Sequence, residues 1–179
     1  GKVQSDQSLH VAYAGPKLKS RQRYYWQVRV WDNQKNVSAW SEQKYWEMGL
    51  LTAADWTAQW ISSGLPEDSV NGPVPMFRKT FDIKKSIQSA RLYITAKGIY
   101  DVQLNGKRVG NAWLTPGWTS YKNRIQYQVF DVASLIKSGN NATGVTLANG
   151  WFRGPLAWEK NKKIYGDKTA LLFQLEINY

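Results

Sequence analysis

The stretch ARLYITAKGIYDVQLNGKRVG, residues 90–110, holds two strand-like segments and a turn signal. β-Branched and aromatic residues recur along 89–98 and again along 100–110, which is typical of strands. Asn105-Gly106 favours a two-residue hairpin turn because both central residues of that turn need positive φ. Outward along the chain, segments of the same kind follow at short intervals, at 76–83, 125–132, 141–149 and 169–179. This spacing predicts an all-β domain built as an antiparallel β-sandwich.

One short helix interrupts the strand pattern. The segment DVASLIKSG, residues 131–139, begins with Asp131 as a cap, carries Leu135 and Ile136 on one side and ends at Gly139. These are the start and stop signals of a helix.

The N-terminal part of the chain predicts a separate, incomplete sandwich. Residues 24–31 alternate with period two, the turn cluster DNQKN follows at 32–36, and 37–48 form a second strand. The polar start GKVQSD indicates that the missing strands lie upstream of Gly1. We therefore predict a partial sandwich over 1–48, a linker over 49–65 and the main sandwich over 66–179.

Composition excludes several classes of site. The 179 residues contain no Cys and one His, so a disulfide framework, a thiolate zinc site and a His-rich metal site are excluded. No apolar run of about 18 residues is present, and we expect no membrane partner. The net charge is +11, but the basic residues are scattered over 17–23, 78–85 and 159–163. A solvated surface is favoured over a nucleic-acid interface.

Three ordered motifs carry a family resemblance. ARLYITAKGIYDVQLNGKRVG (90–110), LTPGWTSYKNRIQYQVFDVASLI (114–136) and ANGWFRG (148–154) together resemble the N-terminal β-sandwich module of bacterial α-L-rhamnosidases of glycoside hydrolase family 78. Residues 24–51 and 55–61 resemble the end of the fibronectin type III-like domain that precedes this module. The resemblance implies a jelly-roll, galactose-binding-like sandwich. A shorter pattern, LNG with FDVASLIKSGNN, also resembles the sugar-binding domain of β-galactosidase-type hydrolases.

The same resemblance implies what this chain does not contain. Family members act through carboxylates of an (α/α)6 barrel far downstream, which would be an intramolecular partner of this module, in a periplasmic or secreted enzyme. Asp82, Asp101 and Asp131 lie in three separate strand-type segments, and nothing in the sequence pairs two of them as glycoside hydrolysis requires. We expect the parent to be a glycoside hydrolase and this chain alone to be inactive.

Some family members bind a terminal rhamnose on such a module, with calcium beside the sugar hydroxyls. The sugar offers hydroxyls to a hard cation or to amides, and an apolar edge to an aromatic ring. We expect the loop after LNG, the PGWTSY loop and NGWFRG to converge at one end of the sandwich. The candidate sugar-binding residues are Asn105, Trp118, Tyr121, Asn149, Trp151 and Arg153, and the candidate calcium ligand is Asp101.

Each candidate also has a structural explanation. Asn105 serves the hairpin turn, and Trp118 is equally compatible with a core position. The module therefore either holds rhamnose-containing glycans near the catalytic domain or is a structural spacer packed against the barrel. Binding to a polyanion through the basic residues is a third and weaker possibility.

We expect any affinity for nucleic acid to be weak and nonspecific. Scattered cations release few counterions together, so binding should fall steeply with salt and vanish near physiological ionic strength. Fluorescence anisotropy with labelled duplex and single-stranded oligonucleotides across a salt series measures this. Sequence-selective binding that persists at physiological salt would contradict the expectation.

Overall fold

The computed structural model describes residues 5–7, 9–64 and 72–179. The chain divides into two compact units, Gly1–Asp55 and Trp56–Tyr179. The strands are β1 Arg23–Trp26, β2 Lys44–Glu47, β3 Met76–Ile83, β4 Ser89–Lys97, β5 Ile99–Leu104, β6 Lys107–Arg108, β7 Gln128–Asp131, β8 Gly139–Ala148 and β9 Ala170–Asn178. Helical segments are 3-10 turns at Ala53–Asp55 and Ala133–Leu135 and the helix α1 at Gly150–Arg153.

The first unit contains one two-stranded sheet in its described part. β1 and β2 pair antiparallel, with Tyr24 opposite Trp46. The rings of these two residues stack with centroids 5.6 Å apart. Further along the hairpin, the Arg29 guanidinium lies 4.9 Å from the Trp31 ring centroid and 4.5 Å from that of Trp40. The hairpin is thus held by aromatic and cation–π contacts that remain partly exposed to solvent.

The second unit is a sandwich of two antiparallel sheets. One sheet has the order β3-β8-β5-β6 and the other the order β7-β4-β9. Side chains from both sheets form a single core that includes Leu92 and Ile94 of β4, Val102 and Leu104 of β5 and Leu147 of β8. The predicted antiparallel all-β sandwich is confirmed, and the whole unit depends on the burial of these alternating residues.

β4 is the central strand of its sheet and is buried on both faces. Leu92 and Ile94 face the core, while Tyr93 and Thr95 point the other way and are also buried. The Tyr93 ring lies 6.4 Å from the Trp56 ring and 6.5 Å from the Tyr127 ring. These aromatics cover part of the outer face, so Tyr93 and Thr95 are buried although the sequence of β4 keeps its period-two alternation.

Part of the predicted linker belongs to the second unit. The backbone N–H of Ile61 donates to Leu171 O at 2.9 Å, and Leu171 N–H donates to Ile61 O at 2.8 Å. The backbone N–H of Thr57 donates to Oε1 of Gln174 at 2.7 Å. Residues 57–61 therefore run beside β9. The predicted boundary between 65 and 66 lies outside the described residues and stays a prediction.

A buried amide joins two turns at one end of the sandwich. Asn141 is 2 % exposed, and its Nδ2 donates to Lys137 O at 2.8 Å and Gly139 O at 2.7 Å. Its Oδ1 accepts from Lys137 N at 2.9 Å and from Asn105 Nδ2 at 2.7 Å. Asn105 in turn accepts from Ala142 N at 2.9 Å. Every polar atom of the Asn141 side chain is therefore bonded.

The helix predicted over 131–139 is wrong in extent. Only the single 3-10 turn Ala133–Leu135 forms. Asp131 Oδ1 accepts from Ala133 N at 3.2 Å, while Oδ2 pairs with Arg91 across the sheet at 2.8 Å. Gly139 already starts β8, and this competing strand pairing ends the helical turn early. Among the described residues, no helix has the length and apolarity needed to cross a membrane.

Removal of the Asn141 amide should destabilise the sandwich. Asn141→Ala removes a buried side chain that bonds the N–H and C=O groups of Lys137 and the C=O of Gly139, and such a loss costs about 1–3 kcal/mol. Urea denaturation measures the change in the free energy of unfolding. The neighbouring Asn140 is exposed, so Asn140→Ala is the matched control and should stay within about 0.5 kcal/mol of the parent. Equal stability of the two variants would contradict the assigned role of Asn141.

Candidate functional site

Strand register gathers three chain segments at one end of the sandwich. Ile99 at the start of β5 is paired with Ala148 at the end of β8. Tyr100 forms a bridge with Thr115, which brings the β6–β7 loop to the same end. The connection from β8 to β9, residues 149–169, therefore leaves the sheet beside the loop that carries Trp118. This end is the candidate site.

The backbone conformation at position 150, in the NGW motif, requires glycine. Gly150 has φ +51°, and a Cβ at this position would lie 2.4 Å from Cγ1 of Ile99. The backbone therefore turns directly from β8 into α1 against β5, which only glycine permits. The turn places Trp151 on the site and Phe152 in the interior, where Phe152 is 5 % exposed.

Arg153 organises the site from within. It is 2 % exposed, its Nε donates to Asp167 O at 2.7 Å, and its Nη1 donates to Oδ1 of Asn149 at 3.1 Å. The backbone O of Arg153 accepts from Lys163 N at 3.0 Å. A buried guanidinium must be hydrogen-bonded, and here it ties α1 to the loop 155–168. Its burial assigns Arg153 a positioning role, and contact with a ligand stays a prediction.

Two tryptophans form an aromatic platform, defined here as Trp118 and Trp151. Their rings are parallel within 7° with centroids 6.1 Å apart. Nε1 of Trp118 donates to the Tyr165 hydroxyl at 3.3 Å. Trp118 is 56 % exposed, so the aromatic platform presents ring surface to solvent instead of plugging the core. The sequence expectation that these two residues meet is confirmed.

Tyr121 lies on the loop that carries Trp118 and packs against the segment that carries Trp151. Its ring contacts Phe152 edge-on at 5.2 Å and Tyr165 at 5.0 Å. The Tyr121 hydroxyl donates to Gly117 O at 3.2 Å. Burial, and secondarily the neighbouring Tyr165, raises the pKa of Tyr121 above its ordinary value. The phenol is therefore neutral near pH 7 and holds the loop that carries Trp118.

Asn105 is not part of this end of the sandwich, and the expectation that it shares a concavity with Trp118, Asn149 and Trp151 is wrong. Leu104 at the end of β5 pairs with Thr143 near the start of β8. Antiparallel pairing places the end of β5 away from the end of β8, so Asn105 and Asn149 lie at opposite ends. Nδ2 of Asn105 donates to Leu135 O at 2.9 Å, which gives Asn105 a structural function.

Asp101 is held in an ion pair. Its Oδ1 accepts from Nε of Arg108 at 2.7 Å, and the same guanidinium lies 4.0 Å from the Trp113 ring centroid. Calcium takes six to eight oxygen ligands. Across residues 5–7, 9–64 and 72–179, no group of three or more His, Cys, Asp or Glu side chains is close enough together to hold a metal ion. The carboxylate that the sequence analysis named as a ligand is thus engaged by Arg108, and calcium binding stays a prediction.

Exposed tryptophans that the sequence analysis did not single out lie on the same two loops. Trp113 is 78 % exposed and Trp158 is 98 % exposed. Large apolar side chains rarely accumulate on a surface without a binding function. Trp113 could have been found from the sequence, because Trp113 and Trp118 lie on either side of Pro116 in a turn-rich segment.

Basic residues outnumber acidic ones at this end, where the loop 155–168 also carries the exposed Glu159 and Asp167. Residues 102–130 contain no Asp or Glu, and Lys122 and Arg124 in this segment are exposed. The loop 155–168 adds the exposed Lys160, Lys162 and Lys163. The aromatic platform is therefore flanked by cations.

Comparison with known proteins assigns both units to one kind of enzyme. Residues 85–179 match the α-L-rhamnosidase N-terminal domain, and residues 1–52 match the Rha78A-like N-terminal immunoglobulin domain. An Ig-like class is thus shown for the first unit, while the fibronectin type III detail stays a prediction. An α-L-rhamnosidase of Formosa agariphila is 40 % identical over 98 % of this chain, which covers 20 % of that protein. The chain spans between about a fifth and a third of the length of the curated relatives it matches.

Solved structures agree with these matches. The α-L-rhamnosidase of Aspergillus terreus superposes with a TM-score of 0.85 at 39 % identity, over 91 % of this chain and 19 % of that one. The α-L-rhamnosidase of Dictyoglumus thermophilum gives a TM-score of 0.82 at 36 % identity, over 93 % of this chain and 20 % of that one.

Substitution of Gly150 should disturb the aromatic platform more than substitution of another left-handed glycine. Gly150→Ala adds a clash with Ile99 to the backbone strain, whereas at Gly106, φ +78°, no atom lies within 4 Å of the point that a Cβ would occupy. We expect Gly106→Ala to cost about 1 kcal/mol and Gly150→Ala about 1–3 kcal/mol more. Urea denaturation measures both. Equal losses would show that Ile99 does not constrain the turn.

Proposed function

Because the chain belongs to the α-L-rhamnosidases of glycoside hydrolase family 78 and corresponds to their N-terminal domains, we propose that it is a non-catalytic accessory module that holds rhamnose-containing glycans for the enzyme's catalytic domain. The partner within the polypeptide is the downstream (α/α)6 barrel that the family resemblance implies. The single observation that carries the proposal is the parallel pair of the exposed Trp118 and the half-buried Trp151 beside the amide of Asn149.

The aromatic platform suits the two chemical sides of rhamnose. An aromatic face accepts the apolar edge and methyl group of the sugar, while a small number of placed polar groups fix its hydroxyls. Arg153 donates to Oδ1 of Asn149. The N–H groups of that amide are consequently directed away from the guanidinium and are able to donate to a sugar hydroxyl.

Asp101 is held in an ion pair with Arg108, which leaves it poorly suited to glycoside hydrolysis. Glycosidases use two carboxyl groups that flank the scissile bond. We accordingly assign glycoside cleavage to the catalytic domain that the family resemblance implies.

The structural spacer is the second candidate, and the exposure of Trp158 favours it. A side chain that is 98 % exposed gains stability when another domain covers it. In that arrangement Trp113 and Trp158 pack against the catalytic domain and no sugar is bound. Direct binding measurements separate the two functions.

We expect the chain to bind L-rhamnose or a rhamnoside through the aromatic platform. Trp118→Ala removes the stacking face and should weaken binding by about 1–3 kcal/mol, by analogy with the loss of a ring that stacks on a nucleobase. Asn149→Ala should weaken it by about 1 kcal/mol, the value of one hydrogen bond. Isothermal titration calorimetry with and without calcium measures both, and calcium binding stays a prediction that this comparison tests.

Trp40 provides the matched control because it is also 56 % exposed but lies in the other unit. Trp40→Ala should leave sugar affinity unchanged, and each variant must first unfold cooperatively. A parent chain that binds no sugar would favour the spacer. Hydrolysis of an aryl rhamnoside by the pure chain, abolished by a carboxylate substitution, would contradict a non-catalytic function.

A further inference from the structure

A third tryptophan on the surface of the second unit is exposed and yet held in a fixed position. Trp113 is 78 % exposed, and the Arg108 guanidinium lies 4.0 Å from the centroid of its ring. That guanidinium is itself fixed, because its Nε donates to Oδ1 of Asp101 at 2.7 Å and its Nη2 donates to Ala112 O at 2.6 Å. Trp113 stacked on Arg108 is called the supported indole below. A cation supports the ring on one side, and most of the ring surface stays open to solvent.

Stability alone does not account for the supported indole. A ring that is 78 % exposed gains little from burial. The ion pair between Arg108 and Asp101 is partly exposed, and pairs of this kind contribute little to the free energy of unfolding. Binding sites, in contrast, require side chains whose orientation is locked by their neighbours before the ligand arrives. Two hydrogen bonds and a stacked cation provide that lock for Trp113.

The chemistry of the supported indole suits a sugar ring. An indole offers a flat apolar face on which the C–H face of a pyranose stacks. Asp101 already balances the charge of Arg108, so the guanidinium acts as a hydrogen-bond donor more than as an unpaired cation. Across residues 5–7, 9–64 and 72–179, Nη1 of Arg108 has no hydrogen-bond partner. This group is positioned to donate to a hydroxyl beside the stacked ring.

Strand β5 places the supported indole near the aromatic platform. Asp101, which holds the supported indole, lies two residues after Ile99, so the two side chains point to the same face of the sheet. Ile99 lies against the turn that leads into Trp151, because a Cβ on Gly150 would be 2.4 Å from its Cγ1. Two residues of a strand span about 7 Å. The two aromatic surfaces are therefore separated by a distance that a short run of linked sugar units covers.

The strand beside β5 leaves this face shallow. Asp101 is paired with Thr146 of β8, and Ile99 is paired with Ala148. Residues that are paired across antiparallel strands point to the same face. Thr146 and Ala148 have short side chains and are half-buried. A ligand that lies along β5 therefore meets no bulky side chain from β8.

We propose that the supported indole is a second sugar subsite, so that the chain binds an oligosaccharide and not only a single terminal rhamnose. The terminal unit lies on the aromatic platform, and a later unit of the same glycan stacks on Trp113. Two contacts joined in one ligand raise affinity because the second forms at a high effective concentration. This inference rests on the proposed function, since it extends the glycan that the aromatic platform holds.

Calorimetry with sugars of two lengths tests the subsite. The probes are L-rhamnose and a panel of linear trisaccharides that end in α-L-rhamnose and differ in linkage. The parent chain should bind at least one trisaccharide about tenfold more tightly than L-rhamnose, which is the gain expected from one more stacked ring. Trp113→Ala should lose this gain and keep the affinity for L-rhamnose. Trp113→Phe retains an aromatic face and should keep most of the gain.

Trp60 provides the matched control for Trp113. It is also an exposed tryptophan of the second unit with a cation over its ring, since Nζ of Lys97 lies 5.2 Å from the ring centroid. Lys97 belongs to β4, in the other sheet of the sandwich. Trp60→Ala should therefore leave the affinity for both sugars unchanged. Each variant must first unfold cooperatively, so that a loss of binding is not a loss of the fold.

Three results would overturn the subsite. Equal affinity of the parent for L-rhamnose and for every trisaccharide would show that no second unit is held. Trisaccharide binding by Trp113→Ala that is as tight as in the parent would remove Trp113 from the site. Loss of L-rhamnose binding in the same variant would show that Trp113 supports the aromatic platform instead of forming its own subsite. A parent that binds neither sugar contradicts the proposed function itself, which distinguishes that failure from the other three.

Discussion

Contact between β4 and the opposite sheet is the constraint on which the rest of the second unit depends. Leu92 and Ile94 are fully buried against a core that includes Val102 and Leu147. Hydrophobic burial of this kind fixes register, because a shift of one residue would turn the polar face of each strand inward. Once β4, β5 and β8 are in register, the ends of these strands determine which loops meet.

The register then explains why the site holds its particular residues. β8 ends at Ala148 opposite Ile99, and the chain must turn sharply there. Gly150 permits that turn, and the turn directs Trp151 toward the surface and Arg153 inward. The inward guanidinium fixes Asn149 and the following loop. The aromatic platform therefore depends on a buried cation, which is the kind of support that binding sites require from their surroundings.

The second unit also has two surfaces of different physical character. At its end, exposed tryptophans lie near lysine and arginine side chains, which suits a polar ligand with apolar edges. Along its side, the groove between β3 and β9 is lined by partly buried apolar side chains such as Phe173 and by the charged residues Arg78, Lys79 and Asp82.

Sequence by itself determined the strands of the sandwich and the family, because period-two patterns and turn residues are local properties. It also placed Trp118 and Trp151 in one site, through motifs in a fixed order. Only the tertiary structure decided that Asn105 lies at the opposite end of the sandwich from Asn149, since a turn motif does not reveal at which end of the sheet the turn lies. It likewise decided that Arg153 is buried and that Asp101 is paired with Arg108. The burial and the ion pair depend on how the strands and loops pack together, which a local sequence pattern does not predict.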